Sequence, residues 1–325
     1  MALGHALTRS SVPIYVEHRI RAPLDLVWSH TQDPDLHERW DLRFTDIDYV
    51  PRSDPAAPQR FRYATRLGFG IAVVGEGETV GERDRADGIR VSALRFWSAQ
   101  ARSLIREGRG YWKYIPTDDG AVFITGYDYE TRYGWLGRLV DRLVFRPLMG
   151  WATAWSFDRL RLWLESGLDP ALAARQALAH GVARVGLAAV FLYHGLVPKL
   201  LGPDAGEIAL MTAAGVPPSL VGPAIVALGL GEVAFGLVLL RTWHRAWPAA
   251  LVVAFAVLAT LTVALTAPTL LTGAFNPVSL NLAMACLAVV DRLTLDDIPS
   301  AGRCRRRPAS ALDAAALNVG TEAAA

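Results

Sequence analysis

The sequence predicts an α+β domain, with an antiparallel sheet around a long C-terminal helix, followed by an all-α bundle of four transmembrane helices. Three observations support this. The chain has 325 residues, enough for two domains of ordinary size. Residues 1–170 contain 23 Lys+Arg and 23 Asp+Glu, whereas residues 178–291 contain only 8 charged residues. The second half also carries four long apolar stretches in a chain that is 52% hydrophobic. We therefore expect the chain to leave water near residue 175.

The first half begins with a strand, because apolar and polar residues alternate over residues 14–21. Ala22-Pro23 ends it, and two short helices are predicted between Leu24 and Trp40, separated by Asp33-Pro34. Further strands are predicted between clusters of Gly, Pro and Asp, at residues 43–50, 59–67, 70–82, 89–97, 102–115 and 120–133. Residues 136–165 then predict a long helix, interrupted at Pro147.

Two consecutive motifs carry a resemblance to a known family. The runs Ala22–Trp28 (APLDLVW) and Thr31–Trp40 (TQDPDLHERW) resemble the opening of the START-like, helix-grip superfamily, also called SRPBCC or polyketide cyclase-like. The resemblance covers residues 12–167. It implies a hydrophobic cavity between sheet and long helix, for a lipid, polyketide, sterol or other apolar small molecule. The superfamily contains carriers and cyclases, so a polyketide cyclase-like enzyme remains an alternative.

Aromatic residues and one histidine of this domain are candidates for the cavity wall: Trp40, Trp97, Phe123, Tyr127, Tyr129 and His18. Packing in an ordinary hydrophobic core is the alternative interpretation for each of them. We identify no catalytic residue and no metal site, because no carboxylate pair, nucleophile motif or histidine-rich spacing is present. The first half also lacks a block of basic residues, which argues against nucleic acid as a partner.

Arg138, Arg142 and Arg146 recur at intervals of four and would form one basic stripe on a helix. A solvated face, partly neutralised by Asp141, is one interpretation. Contact with anionic lipid headgroups is the other.

The four apolar stretches predict transmembrane helices at about 177–197, 220–240, 247–266 and 274–290, each near the length that crosses a bilayer. A soluble bundle would leave the outer faces of such helices apolar and in water. No secretory signal is recognisable in residues 1–13. The basic residues near the ends of these helices are distributed unequally between the two sides of the membrane. Lys199 is the only one on one side. The other side has Arg159, Arg161, Arg175, Arg241, Arg245, Arg292, Arg303, Arg305, Arg306 and Arg307. The positive-inside rule therefore predicts a multi-pass protein of the cell (inner) membrane with both termini cytosolic.

Polar residues inside the predicted membrane helices form a second set of candidates: Arg184, Glu232, His194, Lys199 and Asn281. Counted from the predicted cytosolic helix ends, Arg184 and Glu232 lie about 10 and 12 Å deep, so we expect them to form an ion pair, either functional or fixing the helix register. His194, Lys199 and Asn281, with Asn276, could line a polar pocket at the opposite ends. As alternatives, Lys199 snorkels to the interface and Asn276 caps a helix.

The string His194–Lys199 (HGLVPK), together with Arg184 and Gly231-Glu232, resembles the DoxX-like family of small four-helix membrane proteins over residues 175–292. Some relatives belong to quinone-linked or thiol-linked membrane oxidoreductase systems. No Gly-x-Gly-x-x-Gly motif follows a strand, so we expect no dinucleotide site. We predict no cofactor, with quinone the candidate in the oxidoreductase alternative.

These features favour a membrane protein whose cytosolic domain binds an apolar small molecule or lipid. The alternatives are a subunit of a quinone-linked membrane oxidoreductase, a cyclase-like enzyme, or a structural membrane subunit. Residues 299–325 mix arginines with Ala, Ser and Asp and predict a disordered tail. The oligomeric state stays open.

Overall fold

The computed structural model of the protein describes residues 12–54, 57–68, 70–274 and 276–308. The chain divides into two compact units. One unit, which we call the cup, comprises Met1–Ala173 and Pro299–Ala325. The other, the helical unit, comprises Ala174–Ile298. The change of unit therefore falls where the charge density of the sequence drops.

The described part of the cup contains one seven-stranded antiparallel sheet, in the order β1-β7-β6-β5-β4-β3-β2. Its strands are β1 (Ile14–Ile20), β2 (Asp46–Tyr49), β3 (Arg60–Gly68), β4 (Ile71–Asp84), β5 (Arg90–Trp97), β6 (Ile105–Thr117) and β7 (Gly120–Thr131). After the helical excursion, each strand from β2 to β7 pairs with the next along the chain, and β1 closes onto β7. The predicted antiparallel sheet is confirmed.

Two short helices, α1 (Leu24–Gln32) and α2 (Pro34–Trp40), follow β1 as predicted. Asp33 separates them, because its carboxylate accepts hydrogen bonds from the backbone N–H groups of Asp35 and Leu36 and so caps α2. Pro34 occupies the first turn of α2, where a missing N–H costs nothing.

The long helical segment at the end of the cup consists of α3 (Gly134–Val140), a π-helical stretch Asp141–Phe145, and α4 (Arg146–Ser166). The N–H of Arg146 bonds the carbonyl of Asp141, five residues back. Pro147 has no N–H to continue the α-helical pattern, and the widened turn lies directly before it. The predicted interruption at Pro147 is therefore a π-helical turn within a continuous helical segment.

Helix α4 packs on the inner face of the sheet, chiefly over β1. Phe123 of β7 is stacked between Phe157 of α4, with ring centroids 4.3 Å apart, and Tyr114 of β6, at 4.9 Å. All three side chains are fully buried. The sheet thus encloses a long C-terminal helix, as the fold class predicted.

The segment after Pro299 is ordered at its start, contrary to the predicted tail. Glu17 and Arg305 exchange two backbone hydrogen bonds of 2.9 Å, which adds a short bridge to the edge of β1. Ala301 and Cys304 are buried in the core of the cup, and the N–H of Ser300 donates to the Asp158 carboxylate at 2.7 Å. Composition did not reveal this contact, because its partners lie more than 140 residues away. Residues 309–325 of the predicted tail lie outside the described residues.

The helical unit continues the chain with α5 (Pro170–Gly195), a π-helical stretch Leu196–Leu201, α6 (Ala205–Ala213), α7 (Pro218–Arg241), α8 (Trp247–Thr266) and α9 (Pro277–Leu293). In the described residues, three helices are long and apolar enough to cross a membrane: Pro170–Leu201, Pro218–Arg241 and Trp247–Thr266. Helix α9, the fourth predicted span, has 17 residues. Helix α6 was not predicted.

Side chains of α5, α7, α8 and α9 share one apolar core, which contains Leu187, Leu239, Val252 and Met284. Glycines bring α5 and α7 together. A Cβ added to Gly229 would lie 2.9 Å from the carbonyl oxygen of Gly195, so only a hydrogen fits there. Gly236 is similarly close to α5, whereas nothing lies within 4 Å of a Cβ at Gly222. Of these three glycines, which recur every seven residues along α7, Gly229 and Gly236 thus contact α5 and Gly222 does not.

Candidate functional site

The inner face of the cup has a closely packed part and a part with half-buried rings. Of the predicted wall residues, Trp40 and Phe123 lie in the packed part and are fully buried. Trp40 meets Phe123 and Phe157 edge to face, and its indole N–H donates to the carbonyl of His30 at 2.9 Å. The structure places both residues in the core, which was the alternative interpretation.

Tyr127 and Tyr129 lie next along the same face of β7, and each hydroxyl has a buried partner. The Tyr127 hydroxyl lies 2.9 Å from Oγ1 of Thr153. The Tyr129 hydroxyl donates to the Asp141 carboxylate at 2.7 Å. Burial, and then this bond to a carboxylate, raise the pKa of Tyr129 above its usual range. Burial raises the pKa of Tyr127 as well.

His18 is a buried structural residue. Its Nε2 lies 3.1 Å from Oδ1 of Asp158 on α4. Asp158 also accepts from Arg161 at 2.7 Å and from Arg303 at 2.8 Å. Burial alone would raise the pKa of Asp158, but hydrogen bonds from His18 and Arg161 outweigh it and hold the pKa well below its usual range. This cluster joins β1, α4 and the C-terminal segment.

Trp97 is half-buried at the end of β5. The guanidinium groups of Arg60 and Arg95 lie 5.9 and 5.5 Å from its ring centre, within range of a cation–π contact. Trp97 pairs with Glu76 and Glu107 and therefore faces outward, because successive strand residues point to opposite faces and its neighbour Phe96 faces inward. The six predicted wall residues thus divide among core, buried polar clusters and the outer face of the sheet, and the prediction for Trp97 is wrong.

The half-buried part of the inner face lies over β3 to β6, where rings cover glycines. The ring of Tyr63 lies over Gly75, that of Phe61 over Gly77 and that of Phe96 over Gly108. The strand register alternates these residues with outward-facing ones. Because glycine has no side chain, the rings lie flat on the sheet and present a broad apolar surface. We call this surface the ring wall; it consists of Phe44, Phe61, Tyr63 and Phe96, all half-buried.

One buried cation lies beside the ring wall. Arg43 approaches the rings of Phe44 at 5.4 Å and Tyr127 at 5.6 Å, and its Nε donates to Asp41 at 2.9 Å. His37 Nε2 lies 3.1 Å from the other carboxylate oxygen. Burial would raise the pKa of Asp41, but the charge of Arg43, then the hydrogen bonds of Arg43 and His37, lower it well below its usual range. The pair therefore stays ionised beside the ring wall.

Three buried carboxylates of the cup are each paired with an arginine: Asp41 with Arg43, Asp141 with Arg146, and Asp158 with Arg161. A carboxylate held this way is a poor proton acceptor. Among the described residues, no group of three His, Cys, Asp or Glu side chains could hold a metal ion. The inner face therefore offers apolar contact and ring stacking.

The sequence prediction did not identify the ring wall. Two patterns could have revealed it. In β3, Phe61 and Tyr63 alternate with arginines, and in β4 Gly75 and Gly77 alternate with glutamates. Opposed rings and glycines on neighbouring strands indicate a hollowed face, but which strands are neighbours was not known from the sequence.

In the helical unit, the predicted pair between Arg184 and Glu232 is wrong. Arg184 Nε instead donates to Asp291 of α9 at 2.9 Å, and its Nη2 donates to the carbonyl of Arg245. The contact between Gly195 and Gly229 sets the register of the two helices. It places Arg184 about two turns, roughly 12 Å, from the level of Glu232. The sequence-based depths failed because α5 begins at Pro170, earlier than predicted.

Arg184, Asp291 and His180 are fully buried together. Nδ1 of His180 lies 3.1 Å from the Asp291 carboxylate, and its Nε2 lies 3.0 Å from the carbonyl of Trp243. The cluster connects α5, α9 and the connection between α7 and α8. A buried charge in a membrane unit needs such partners, because leaving one unpaired is costly.

Glu232 pairs with Lys199 at 3.1 Å, and Lys199 also reaches Glu207 of α6 at 2.9 Å. Lys199 Nζ lies 3.4 Å from the carbonyl of His194. Asn281 does not join them, because its amide donates to Thr260 of α8 at 3.1 Å. Asn276 caps α9 by accepting from the N–H of Ser279. Lys199 is buried rather than snorkelling, because α6 brings Glu207 to it.

A family match lies within the helical unit. Residues 188–289 match the model of the DoxX-like family. The chain is 52% identical over 169 residues to the uncharacterized membrane protein YndG of Bacillus subtilis (strain 168), a match that covers 52% of this chain and 63% of that protein. The match thus spans less than two thirds of that relative's length.

Among solved structures, the chain is similar to the STAR-related lipid transfer protein from Xanthomonas axonopodis, with 15% identity and a TM-score of 0.31 over 39% of this chain and 75% of that chain. It is also similar to the Zhui aromatase/cyclase from Streptomyces sp. R1128, with 17% identity and a TM-score of 0.32 over 46% of this chain and 94% of that chain. The α+β fold of the cup is defined by its own strands and helices. The protein is a membrane protein that joins an α+β cup to a DoxX-like region.

Proposed function

We propose that the protein is a multi-pass protein of the cell membrane whose cytosolic cup binds an apolar small molecule or lipid beside a DoxX-like membrane module. The ring wall carries this proposal. Half-buried rings lying flat over glycines offer apolar area that a ligand can cover, with the ion pair of Arg43 and Asp41 at its edge. Few polar anchors in a mostly apolar wall are typical of small-molecule sites.

The free energy available from such a wall is sufficient. A ligand that buries about 200 Å² of apolar surface gains roughly 5 kcal/mol, at about 25 cal/mol per Å². The ion pair adds orientation rather than affinity, because Arg43 already has its carboxylate partner. The site therefore favours a largely apolar molecule with a small polar end.

Both ends of the described chain belong to the cup, which bears on topology. Glu17 in β1 and Arg305 after the last helix are hydrogen-bonded neighbours. They lie on the same side of the membrane, so the chain between them crosses an even number of times. Three helices satisfy the length criterion, and a fourth crossing by α9 makes the number even. A short span is accommodated by local thinning of the bilayer.

The cytosolic placement of the cup follows from the basic residues of the helical unit. Arg175, Arg241, Arg245 and Arg292 lie near the start of α5, the connection of α7 to α8, and the end of α9. In an alternating up-and-down arrangement these positions share one side. The positive-inside rule assigns that side to the cytosol, and both connections to the cup leave from it.

Native mass spectrometry of the full chain, released from detergent after mild purification, tests ligand binding. We expect a retained hydrophobic adduct that Tyr63→Ala reduces several-fold, because the variant removes part of the ring wall. Arg62→Ala is the matched control, since Arg62 is the neighbouring, exposed residue of the same strand and should leave the adduct unchanged. An adduct equally abundant in both variants, or absent from the wild-type protein, would contradict the proposal.

A further inference from the structure

The helical segment that follows β7 exposes apolar side chains in one continuous stretch of sequence. Nine large apolar residues between 133 and 151 are each more than 40% exposed: Tyr133, Trp135, Leu136, Leu139, Val140, Leu143, Val144, Leu148 and Trp151. Trp135 is 71% and Leu143 66% exposed. A soluble surface rarely concentrates so much apolar area without a partner. We call this stretch the apolar ridge.

The ridge belongs to a helix that is anchored along one line of buried residues. Gly137 and Asp141 are buried, and a Cβ on Gly137 would collide with the carbonyl of Arg132. Asp141 accepts from Tyr129 and from Arg146. The segment therefore has a fixed rotation about its axis, and the ridge cannot turn inward.

Charge along the ridge has one sign. Arg138 and Arg142 are exposed, one turn apart. Asp141 is the only acidic residue between 133 and 151, and it is buried and paired with Arg146. A second copy of the chain docked through the same surface would bring arginines against arginines. An anionic surface with an apolar interior is the complementary partner.

We propose that the apolar ridge inserts into the interfacial layer of the membrane that holds the helical unit, with Arg138 and Arg142 contacting anionic lipid headgroups. Tryptophan and leucine beside a polar edge of arginines are the composition of an interfacial helix. The proposal depends on the membrane location of the helical unit and not on what the cup binds.

The covalent connection between the cup and the helical unit lowers the entropic cost of this docking. Only Gly167, Leu168 and Asp169 separate the end of α4 from α5, the helix that contains the first candidate span. The ridge therefore stays within a few tens of ångströms of the bilayer, at an effective concentration far above that of a free protein. Weak interfacial affinity is then sufficient to hold it.

Site-directed fluorescence on the full chain in lipid nanodiscs tests the proposal. The background is Cys286→Ala, which removes the exposed thiol and leaves Cys304 buried. An NBD probe is attached at Leu143→Cys, on the ridge. The matched control is a probe at Asp87→Cys, in the exposed turn between β4 and β5. This turn lies at the end of the sheet opposite to the start of α3, since β7 enters α3 at the end where β5 turns into β6.

Lipids carrying a nitroxide near the headgroup should quench the ridge probe about twofold or more and leave the Asp87 probe nearly unchanged. With phosphatidylglycerol in the disc, each arginine should contribute about fivefold to the ratio of docked to undocked cup. Arg138→Gln combined with Arg142→Gln should therefore lower quenching in anionic discs and have little effect in phosphatidylcholine discs.

Three results would overturn the proposal. Equal quenching of the Leu143 and Asp87 probes would show that the cup contacts lipid without a preference for the ridge. A ridge probe that is strongly fluorescent but unquenched would show that protein, and not lipid, covers the ridge. Energy transfer between two labelled copies in one disc would then identify the covering protein as a second chain. A probe that reports water and no quenching would show a free surface.

Discussion

Asp158 is the residue at which three distant parts of the cup meet. Its carboxylate is fully buried and binds His18 from β1, Arg161 from its own helix, and the N–H of Ser300. Removing one member of a buried charged cluster leaves the others uncompensated. Asp158 thus stabilises the cup through the groups it neutralises and not through apolar contact.

We predict that Asp158→Asn lowers the free energy of unfolding of the cup by about 3 kcal/mol at neutral pH. The pKa of Asp158 is lower in the folded chain than its ordinary 3.8, so its stabilisation is present above about pH 4 and is lost as the pH falls below that value. Thermal unfolding followed by tryptophan fluorescence should therefore show a difference between wild type and variant that is constant near pH 7 and shrinks towards pH 3.

Asp118→Asn is the control for this prediction. Asp118 lies exposed in the turn between β6 and β7, where a carboxylate contributes little. A variant Asp158→Asn as stable as this control, or a difference that grows as the pH falls, would contradict the role assigned to the carboxylate.

At the scale of the element, the sequence predicted the regular segments well and the contacts between them poorly. The strands of the cup follow from alternation and turn residues, both of which are local. The ring wall required knowing that β3 lies beside β4, so that Phe61 covers Gly77. The partner of Arg184 required the register of α5, which begins at Pro170, seven residues before the predicted start of the helix. Interactions between distant residues are invisible to local periodicity.

Helices α5 and α7 provide a prediction at this scale. Gly229→Ala should destabilise the helical unit by roughly 1–3 kcal/mol, because the added Cβ would lie 2.9 Å from both the Gly195 carbonyl and the Cβ of Lys199. Gly231→Ala is the matched control on the same helix, where nothing lies within 4 Å of the new Cβ. Replacing glycine by alanine within a helix otherwise favours the helix.

Thermal unfolding in detergent measures the two variants side by side. A lower midpoint for Gly229→Ala with an unchanged or higher midpoint for Gly231→Ala is expected. Equal midpoints would show that α5 and α7 do not depend on this close contact.

At the scale of the whole molecule, the cup is built from two parts of the sequence, one before the helical unit and one after it. The bridge between Glu17 and Arg305 closes the cup only after the last helix has been made. Buried Cys304, whose thiol lies 3.2 Å from the carbonyl of Ala154, extends the same contact into the core. In the multi-pass topology proposed above, the cup can therefore be completed only when the helical unit has returned the chain to the side on which it started.

This arrangement predicts which connections face each side. In the Cys286→Ala background, a membrane-impermeant maleimide applied to intact cells should label Asp204→Cys and Thr272→Cys, in the connections after α5 and α8. Asp87→Cys in the cup and Thr294→Cys after α9 should react only after permeabilisation. All four positions except the partly buried Thr294 are exposed, so differences in labelling report sidedness. Protection of Thr272→Cys in intact cells would show that α8 does not carry the chain outward. Labelling of Thr294→Cys in intact cells would show that α9 does not cross back, which would contradict the placement of Arg305 beside Glu17 on one side of the membrane.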